Sequence, residues 1–205
     1  MKTDTLKVTA LVLGILLVLI SLYLNFVWHE ELQEYRAAEA YLAERDHSAA
    51  ECAEYAQKHY MEKGIMSDLL RIVAAQKGDA HSQNILGDDG WWWEQHPDLR
   101  FPREAREQWL LAAARQGAPE HQYALGFFYA RESTLARGES AKRELARKAA
   151  YWYKEAALQG YTWSMWSLGE LYQADGALPD PAAAEYWQRK WEEAVRMRNK
   201  RARER

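Results

Sequence analysis

The side chains most often used in catalysis occur in this chain, but not at catalytic spacings. Its six histidines form neither a His-Glu-x-x-His pair nor another paired metal-binding spacing. The chain contains no Gly-x-Ser-x-Gly turn for a nucleophilic serine and no phosphate-binding loop. The carboxylates of Asp88-Asp89-Gly90 lack the alternating spacing of a calcium loop. The sequence therefore predicts no enzyme activity, no cofactor and no metal site.

The single cysteine and the nearly balanced charge argue against an internal disulfide and against nucleic acid as a partner. Cys52 has no second cysteine to pair with, which excludes an internal disulfide. It lies in an alanine-rich helical run, which favours a small buried apolar residue over a reactive thiol. The chain carries 27 Lys and Arg against 30 Asp and Glu, a formal net charge of −3. No overall positive field therefore favours nucleic acid as a partner.

Three consecutive tryptophans are the residues best suited to binding another protein. Consecutive residues of a helix or strand cannot all face one core, so at least one indole faces outward unless the loop folds over a groove. Exposed tryptophan is enriched at binding hot spots. The candidate partner-binding residues of this loop are Trp91, Trp92, Trp93, Glu94, Asp88 and Asp89. The alternative is a packed loop that fills the space beside a shortened helix.

This loop lies between the first two copies of a phrase that the chain repeats three times. An alanine pair precedes a glycine three positions later, and a Leu-Gly pair follows at a fixed distance. The copies are Ala74-Ala75-Gln76-Lys77-Gly78 with Leu86-Gly87, Ala113-Ala114-Arg115-Gln116-Gly117 with Leu125-Gly126, and Ala156-Ala157-Leu158-Gln159-Gly160 with Leu168-Gly169. A period of roughly 40 residues is typical of stacked supersecondary units. The prediction is an all-α fold, an α-solenoid of helix-turn-helix repeats over residues 67–195.

Each phrase is predicted to end the first helix of a repeat, and the Leu-Gly pair that follows is predicted to lie on the second helix. Glycine just past a helix ends it, because glycine adopts the left-handed cap conformation at little cost. We expect Gly126 and Gly169 to let the second helix approach the preceding Ala-Ala turn closely. Trp163 and Trp166 are three residues apart on one helical face, and we expect them to pack against the next unit.

The repeated phrase, the Leu-Gly pair and the tyrosine three residues later (Tyr129, Tyr172) resemble the Sel-one-like repeat (SLR) family, relatives of the tetratricopeptide repeats. The resemblance covers residues 67–195. The first repeat departs from it at Gly90, where the tyrosine is expected. The second repeat has His121 where the family usually has a small residue, so His121 joins the candidate partner-binding residues. Residues 187–195 begin a fourth unit without its glycine, which indicates a terminal cap.

Residues 8–28 are apolar almost throughout and long enough to span a bilayer as a helix. Lys2 and Lys7 precede this stretch, and Glu30 and Glu31 follow it, so the positive-inside rule leaves the amino terminus in the cytoplasm. No small-x-small cleavage site follows closely, which favours an uncleaved anchor over a signal peptide. The expected location is the bacterial inner membrane, with a single pass at residues 8–28 and the rest of the chain in the periplasm.

Charged segments flank the predicted solenoid. Residues 29–66 form a predicted helical stalk and amino-terminal cap, with a break near Asp46-His47. Ser48-Ala49-Ala50-Glu51 has the form of a capping box. Residues 196–205 form a basic tail, which is either a solvated helix end or a contact for anionic lipid or an acidic partner.

The SLR resemblance implies function through a protein-binding surface. The family consists mainly of adaptors, assembly factors and inhibitors, and small anchored members neutralise toxins, including phospholipase effectors of type VI secretion. The leading hypothesis is a membrane-anchored, periplasm-facing protein-binding module, in its specific form an immunity protein. The alternative is a structural or assembly subunit of a cell-envelope complex. Ala10 and Gly14, four residues apart on the predicted membrane helix, are a small-residue pattern for helix pairing.

Overall fold

The computed structural model describes most of the chain after residue 45. The described residues are 33, 36–37, 40–44, 46–58, 65–88, 102–173 and 175–204. No strand occurs within them, and residues 33, 36–37 and 40–44 are helical. The helices after residue 48 whose bounds are described are α1 (Ala49–Lys58), α2 (Ile65–Gln76), α3 (Ala80–Gly87), α4 (Arg103–Ala114), α5 (Pro119–Leu135), α6 (Glu139–Leu158), α7 (Thr162–Tyr172) and α8 (Pro181–Arg203). The chain divides into two compact units, residues 1–74 and 75–205.

The predicted membrane anchor, residues 8–28, lies outside the described residues. Among the helices that are described, none combines the length and the apolar character needed to cross a membrane.

In the first unit, a capping box begins α1. The amide of Ser48 donates to Glu51 Oε2 at 2.8 Å, and the amide of Glu51 donates to Ser48 Oγ at 3.3 Å. Residues 46–48 are not helical, whereas residues 40–44 are. His47 is buried and stacks on Tyr41, with ring centroids 3.8 Å apart. The predicted helix break and the predicted capping box are both confirmed.

A small core joins α1 to α2 within this unit. Cys52, Ala56, Leu70 and Ala74 form it, and each is 0% exposed. Ser67 Oγ donates to the carbonyl of Ala56 at 2.9 Å, so a polar contact supports the apolar one. The prediction that Cys52 is a small buried residue is confirmed.

In the second unit, each helix packs on the next one along the chain. Contacts join α3 to α4, α4 to α5, α5 to α6, α6 to α7 and α7 to α8. Their shared hydrophobic core consists of Leu110, Ala114, Leu125, Phe128, Tyr129, Ala149, Ala150, Tyr153, Ala157, Met165, Leu168 and Trp187. A stack in which each helix covers its neighbour is the arrangement of a helical solenoid. The predicted all-α repeat fold is confirmed for this part of the chain.

Glycines with positive φ follow the first helix of each repeat, as predicted. We call them the cap glycines, and their φ values are 99°, 95° and 87° at Gly78, Gly117 and Gly160. At the third, the amide of Gly160 donates to Ala157 O at 2.9 Å and that of Tyr161 donates to Ala156 O at 3.1 Å. These two bonds are those of a Schellman motif, which satisfies carbonyls at the end of a helix.

The glycines of the Leu-Gly pairs pack against a different element from the one expected. A Cβ added to Gly87 would lie 2.9 Å from both Arg106 O and Leu110 N, which belong to the following helix, α4. At Gly126 it would lie 2.6 Å from the ring of Tyr153 in α6. The expectation of a close contact with the preceding Ala-Ala turn is wrong, because the nearest neighbours of these glycines belong to the first helix of the next repeat, and the approach is close only at Gly87 and Gly126.

The last helix continues past the point at which its sister helices end. Gly169 faces Gln188 in α8 as Gly87 faces Leu110 in α4. Seven residues after Leu110 stands the cap glycine Gly117, whereas seven residues after Gln188 stands Val195. A β-branched residue disfavours the left-handed cap conformation. Accordingly, α8 continues eight residues beyond Val195, and the predicted cap and basic tail form one helix as far as residue 203.

Candidate protein-binding surface

Most of the tryptophan loop lies outside the described residues. This applies to Asp89, Trp91, Trp92, Trp93 and Glu94. Asp88 is described: it is exposed directly after α3, and its amide donates to Asn84 O at 2.9 Å. The role of this loop in binding stays a prediction.

His121 lies in the first turn of α5 and is only 8% exposed. Burial lowers the pKa of its imidazole, while the carboxylates of Glu120 and Asp79 act in the opposite direction. Its Nδ1 atom is buried and has no hydrogen-bond partner among the described residues. The serines at the two sister positions are completely buried. This repeat position faces the interior, so the His121 ring offers a partner little surface.

Three of the large exposed aromatic side chains lie on the second helices of repeats two and three. Phe127 on α5 is 50% exposed, and Trp163 and Trp166 on α7 are 59% and 44% exposed. Tyr123 and Tyr161 are half-buried. We call these five side chains the aromatic surface. The expectation that Trp163 packs against the next unit is wrong, because more than half of its side chain faces solvent.

Ring contacts hold the α5 side of the aromatic surface in place. The ring centroid of Tyr123 lies 6.4 Å from that of Phe127 and 5.2 Å from that of Tyr161. Beneath it, the buried ring of Tyr153 lies 5.6 Å away. Burial raises the pKa of both Tyr153 and Tyr161. These phenols therefore stay protonated and neutral in the physiological range.

On the α7 side, Trp163 and Trp166 meet edge to face, with centroids 6.4 Å apart and planes at 88°. Trp166 also lines a cleft of about 100 Å³ between α7 and α8, opposite Gln188 and Trp191. The expectation for Trp166 is thus met in part, because the residue borders α8 but stays 44% exposed.

A repeat position that carries aromatic residues in the sequence indicates this surface, and the sequence analysis missed it. Tyr123 and Trp166 each stand six residues after their cap glycine, at the same repeat position. Equivalent positions of stacked repeats lie on the same face of the solenoid. The first repeat has Asn84 there. The aromatic surface therefore belongs to repeats two and three.

A ladder of glutamines links successive repeats, and the sequence analysis missed it. The side-chain amide of the glutamine before a cap glycine donates two hydrogen bonds to the preceding repeat. One goes to the carbonyl of the cap glycine of that repeat, and the other goes to the side-chain oxygen of a second glutamine. The acceptors are Gly78 O (2.9 Å) and Gln83 Oε1 (3.0 Å) for Gln116, and Gly117 O (3.0 Å) and Gln122 Oε1 (2.8 Å) for Gln159. The recurrence of glutamine one residue before and five residues after the cap glycines was the available signal.

The ladder ends at the third repeat because its residues change. Met165 stands five residues after Gly160, where Gln83 and Gln122 stand in the earlier repeats. On α8, Ala194 takes the position of Gln116 and Gln159. Neither residue has a side-chain amide, so α8 docks on α7 without these hydrogen bonds.

No group of three or more His, Cys, Asp or Glu side chains that could hold a metal ion occurs in the part of the chain that the structure describes. The second unit is a stack of helical repeats that carries the aromatic surface on the second helices of two successive repeats.

Comparison with known proteins finds similarity among solved structures. No protein-family model and no curated protein matches this sequence. Among solved structures, the chain is similar to the crystal structure of a Sel1 repeat protein from Oxalobacter formigenes, at 25% identity over 60% of this chain and 87% of that chain, with a TM-score of 0.44.

Proposed function

We propose that this chain is a non-catalytic protein-binding module whose partner docks on the aromatic surface. The observation that carries the proposal is the exposure of Phe127, Trp163 and Trp166 on the second helices of two successive repeats. Aromatic side chains bury a large area with few rotatable bonds, and tryptophan and tyrosine are enriched among the residues that dominate binding energy. Stacked repeats characteristically use such extended faces to bind partners.

The surroundings of these rings suit binding with little rearrangement. Tyr123 is supported from beneath by the buried Tyr153, so its ring is already ordered. The cleft beside Trp166 is bordered by the polar side chains of Glu170, Gln173 and Gln188. An apolar centre with a polar rim is the usual anatomy of a protein interface. Ordering before binding reduces the entropy lost on association.

The proposed setting is the periplasmic side of a bacterial inner membrane, with residues 8–28 as the anchor. The apolar run and the Lys-before, Glu-after asymmetry support this setting. There, the proposed partner is a secreted toxin, such as a type VI secretion phospholipase effector, and the chain is its immunity protein. The support for this finer proposal is the SLR resemblance of the repeats.

Site-specific photo-crosslinking tests the surface. A photoreactive amino acid replaces Trp166 in one full-length variant, Trp92 in a second and Tyr151 in a third, a control that is 56% exposed on α6. We expect one dominant crosslinked protein from position 166 and none from position 151. Crosslinks from position 92 alone would move the site to the tryptophan loop. Equal crosslinking from positions 166 and 151 would contradict a defined surface.

A contact-killing assay tests the immunity function. Cells that lack this protein should be killed by toxin-carrying neighbours, and the wild-type gene should restore survival. A Trp163→Ser, Trp166→Ser double variant should not restore it, whereas Tyr151→Ser should. Survival of the deletion strain in repeated assays would count against an immunity role.

An assembly subunit of an envelope complex is the second candidate, and Ala10 and Gly14 in the predicted anchor favour it. Replacing residues 8–28 by an unrelated membrane anchor separates the two functions. An inhibitor should still protect cells once it is delivered to the correct side. An assembly subunit that pairs through its own membrane helix should lose its function.

A further inference from the structure

The extension of α8 beyond Val195 carries a dense positive charge. Residues 196–204 include one carboxylate, Glu204, and five cationic side chains, all of them exposed: Arg196, Arg198, Lys200, Arg201 and Arg203. The ion pair between Lys200 Nζ and Glu204 Oε1 spans 4.0 Å and is exposed to solvent, so it neutralises little of this charge. The extension therefore favours an acidic partner.

One face of the extension forms the wall of a groove of about 690 Å³. The groove is lined by Gly160 and Thr162 on one side and by Ala194, Met197, Arg198, Arg201 and Ala202 on the other. Met197 is 53% exposed. We call this feature the C-terminal groove. It combines apolar side chains, two guanidinium groups and a backbone turn.

The C-terminal groove exists because the repeat pattern ends here. At the earlier junctions, Gln116 and Gln159 reach across to the carbonyl of a cap glycine. At this junction, Ala194 replaces the glutamine and has no amide to offer the carbonyl of Gly160. Val195 replaces the cap glycine, so the helix continues and brings Arg198 and Arg201 alongside the Gly160 turn.

We propose that the C-terminal groove binds an acidic peptide segment of a partner protein. Arg198 and Arg201 are three residues apart and line the same groove, so their planar guanidinium groups can each donate paired hydrogen bonds to a carboxylate. Met197 provides apolar contact for the residues between two carboxylates. The carbonyl of Gly160 can accept a hydrogen bond from a peptide amide. The groove volume is within the range of ligand sites, about 300–1,000 Å³.

The distribution of side chains favours a peptide over a lipid surface. Helices that lie on membranes present a broad apolar face with Trp, Phe or Leu. The extension has one exposed large apolar residue, Met197, and further cations on the face away from the groove, at Arg196, Lys200 and Arg203. A flat lipid surface would attract cations on any face of the helix, whereas a peptide in the groove needs Arg198 and Arg201 in particular.

Fluorescence anisotropy with the full-length chain tests the proposal. The probe is a fluorescein-labelled peptide of alternating glutamate and leucine, and its counterpart carries glutamine in place of glutamate. We expect Arg198→Glu, Arg201→Glu to weaken binding of the glutamate peptide by about tenfold to a hundredfold, as expected for lost hydrogen bonds between charged groups. Arg196→Glu, Arg203→Glu makes the same charge change on the opposite face and should weaken binding less than about threefold. Circular dichroism should show equal helix content in both.

Four results would overturn the proposal. One is the absence of measurable binding to the glutamate peptide, and another is equal affinity for the glutamine peptide. An equal loss in the two double variants would assign the affinity to diffuse charge. The fourth is binding to phosphatidylglycerol vesicles, but not to phosphatidylcholine vesicles, that is tighter than binding to the glutamate peptide and that both double variants abolish. That result would assign the extension to an anionic membrane surface.

Discussion

Two junctions in the second unit use the same repeat positions but are built differently. Between repeats two and three, Gly126 lies directly under the ring of Tyr153, and Gln159 donates to the carbonyl of Gly117 and to Gln122. A close backbone contact and a pair of hydrogen bonds thus define how α5 meets α6. Neither contact tolerates a shift in register, because the glutamine must reach one particular carbonyl.

Between repeat three and α8, the glycine contact is looser and the glutamine hydrogen bonds are missing. A Cβ added to Gly169 would lie 3.8 Å from Gln188 N, an ordinary van der Waals distance. Ala194 and Val195 replace the glutamine and the cap glycine. This junction leaves Trp166 half-exposed beside a cleft and opens the C-terminal groove. The inner junction thus has the closer packing and the hydrogen bonds between repeats, whereas the terminal junction leaves a cleft and a groove open to solvent.

The largest expected difference between the junctions concerns their glycines. Gly126→Ala should lower the free energy of unfolding by about 1–3 kcal/mol, because the new methyl group overlaps the buried ring of Tyr153. Gly169→Ala should raise it by up to about 1 kcal/mol, since alanine is the better helix former and has room there. Urea denaturation followed by circular dichroism measures both values. A stability change of the same sign in the two variants would contradict the proposed difference.

A smaller difference is expected for the glutamine ladder. Gln159→Ala should cost about 1–2 kcal/mol, because Gln122 is 6% exposed and its Oε1 atom loses the donor from α6. Gln173→Ala is the matched control: it removes only an exposed hydrogen bond to Glu170 and should change stability by less than about 0.5 kcal/mol. The same denaturation experiment measures both. Equal effects would show that the ladder contributes no more than a surface contact.

The smallest effect concerns pH and His121, in the repeat before the inner junction. Burial lowers the pKa of this imidazole from its ordinary value of 6.5, so the unfolded chain binds a proton more readily than the folded one. Stability should therefore be lost as the pH falls through and below 6.5. His121→Ser, which installs the residue of the sister repeats, should lose less. Melting temperatures at about pH 7.5 and about pH 5.5 measure this, and parallel losses in the two proteins would refute it.

Local features of the chain could be predicted because their causes lie within a few residues. The capping box at Ser48 and Glu51 needs only its own turn. The cap glycines need only a positive φ after an alanine-rich helix. Pro181 occupies the first turn of α8, a position that proline favours because its fixed φ suits a helix start. The repeat period combined these local units into an all-α stack.

Features that depend on which helix lies opposite could not be predicted in the same way. The partner of each Leu-Gly glycine belongs to the next repeat, about twenty or more residues away in the chain. Trp163 is 59% exposed, and no spacing within α7 reveals this. The side-chain reach of Gln116 and Gln159 across a repeat boundary is a property of the stack.

By itself, the sequence determined the helical class, the period of the repeats, the helix ends at the cap glycines and the buried place of Cys52. Each follows from backbone conformational preference or from the simple pattern of apolar residues. Only the tertiary structure decided which faces remain open: the aromatic surface of Tyr123, Phe127, Tyr161, Trp163 and Trp166, and the C-terminal groove beside Arg198 and Arg201. The reason is physical. Whether a face is covered depends on the neighbouring helix, and the neighbour's position is set by packing across repeats.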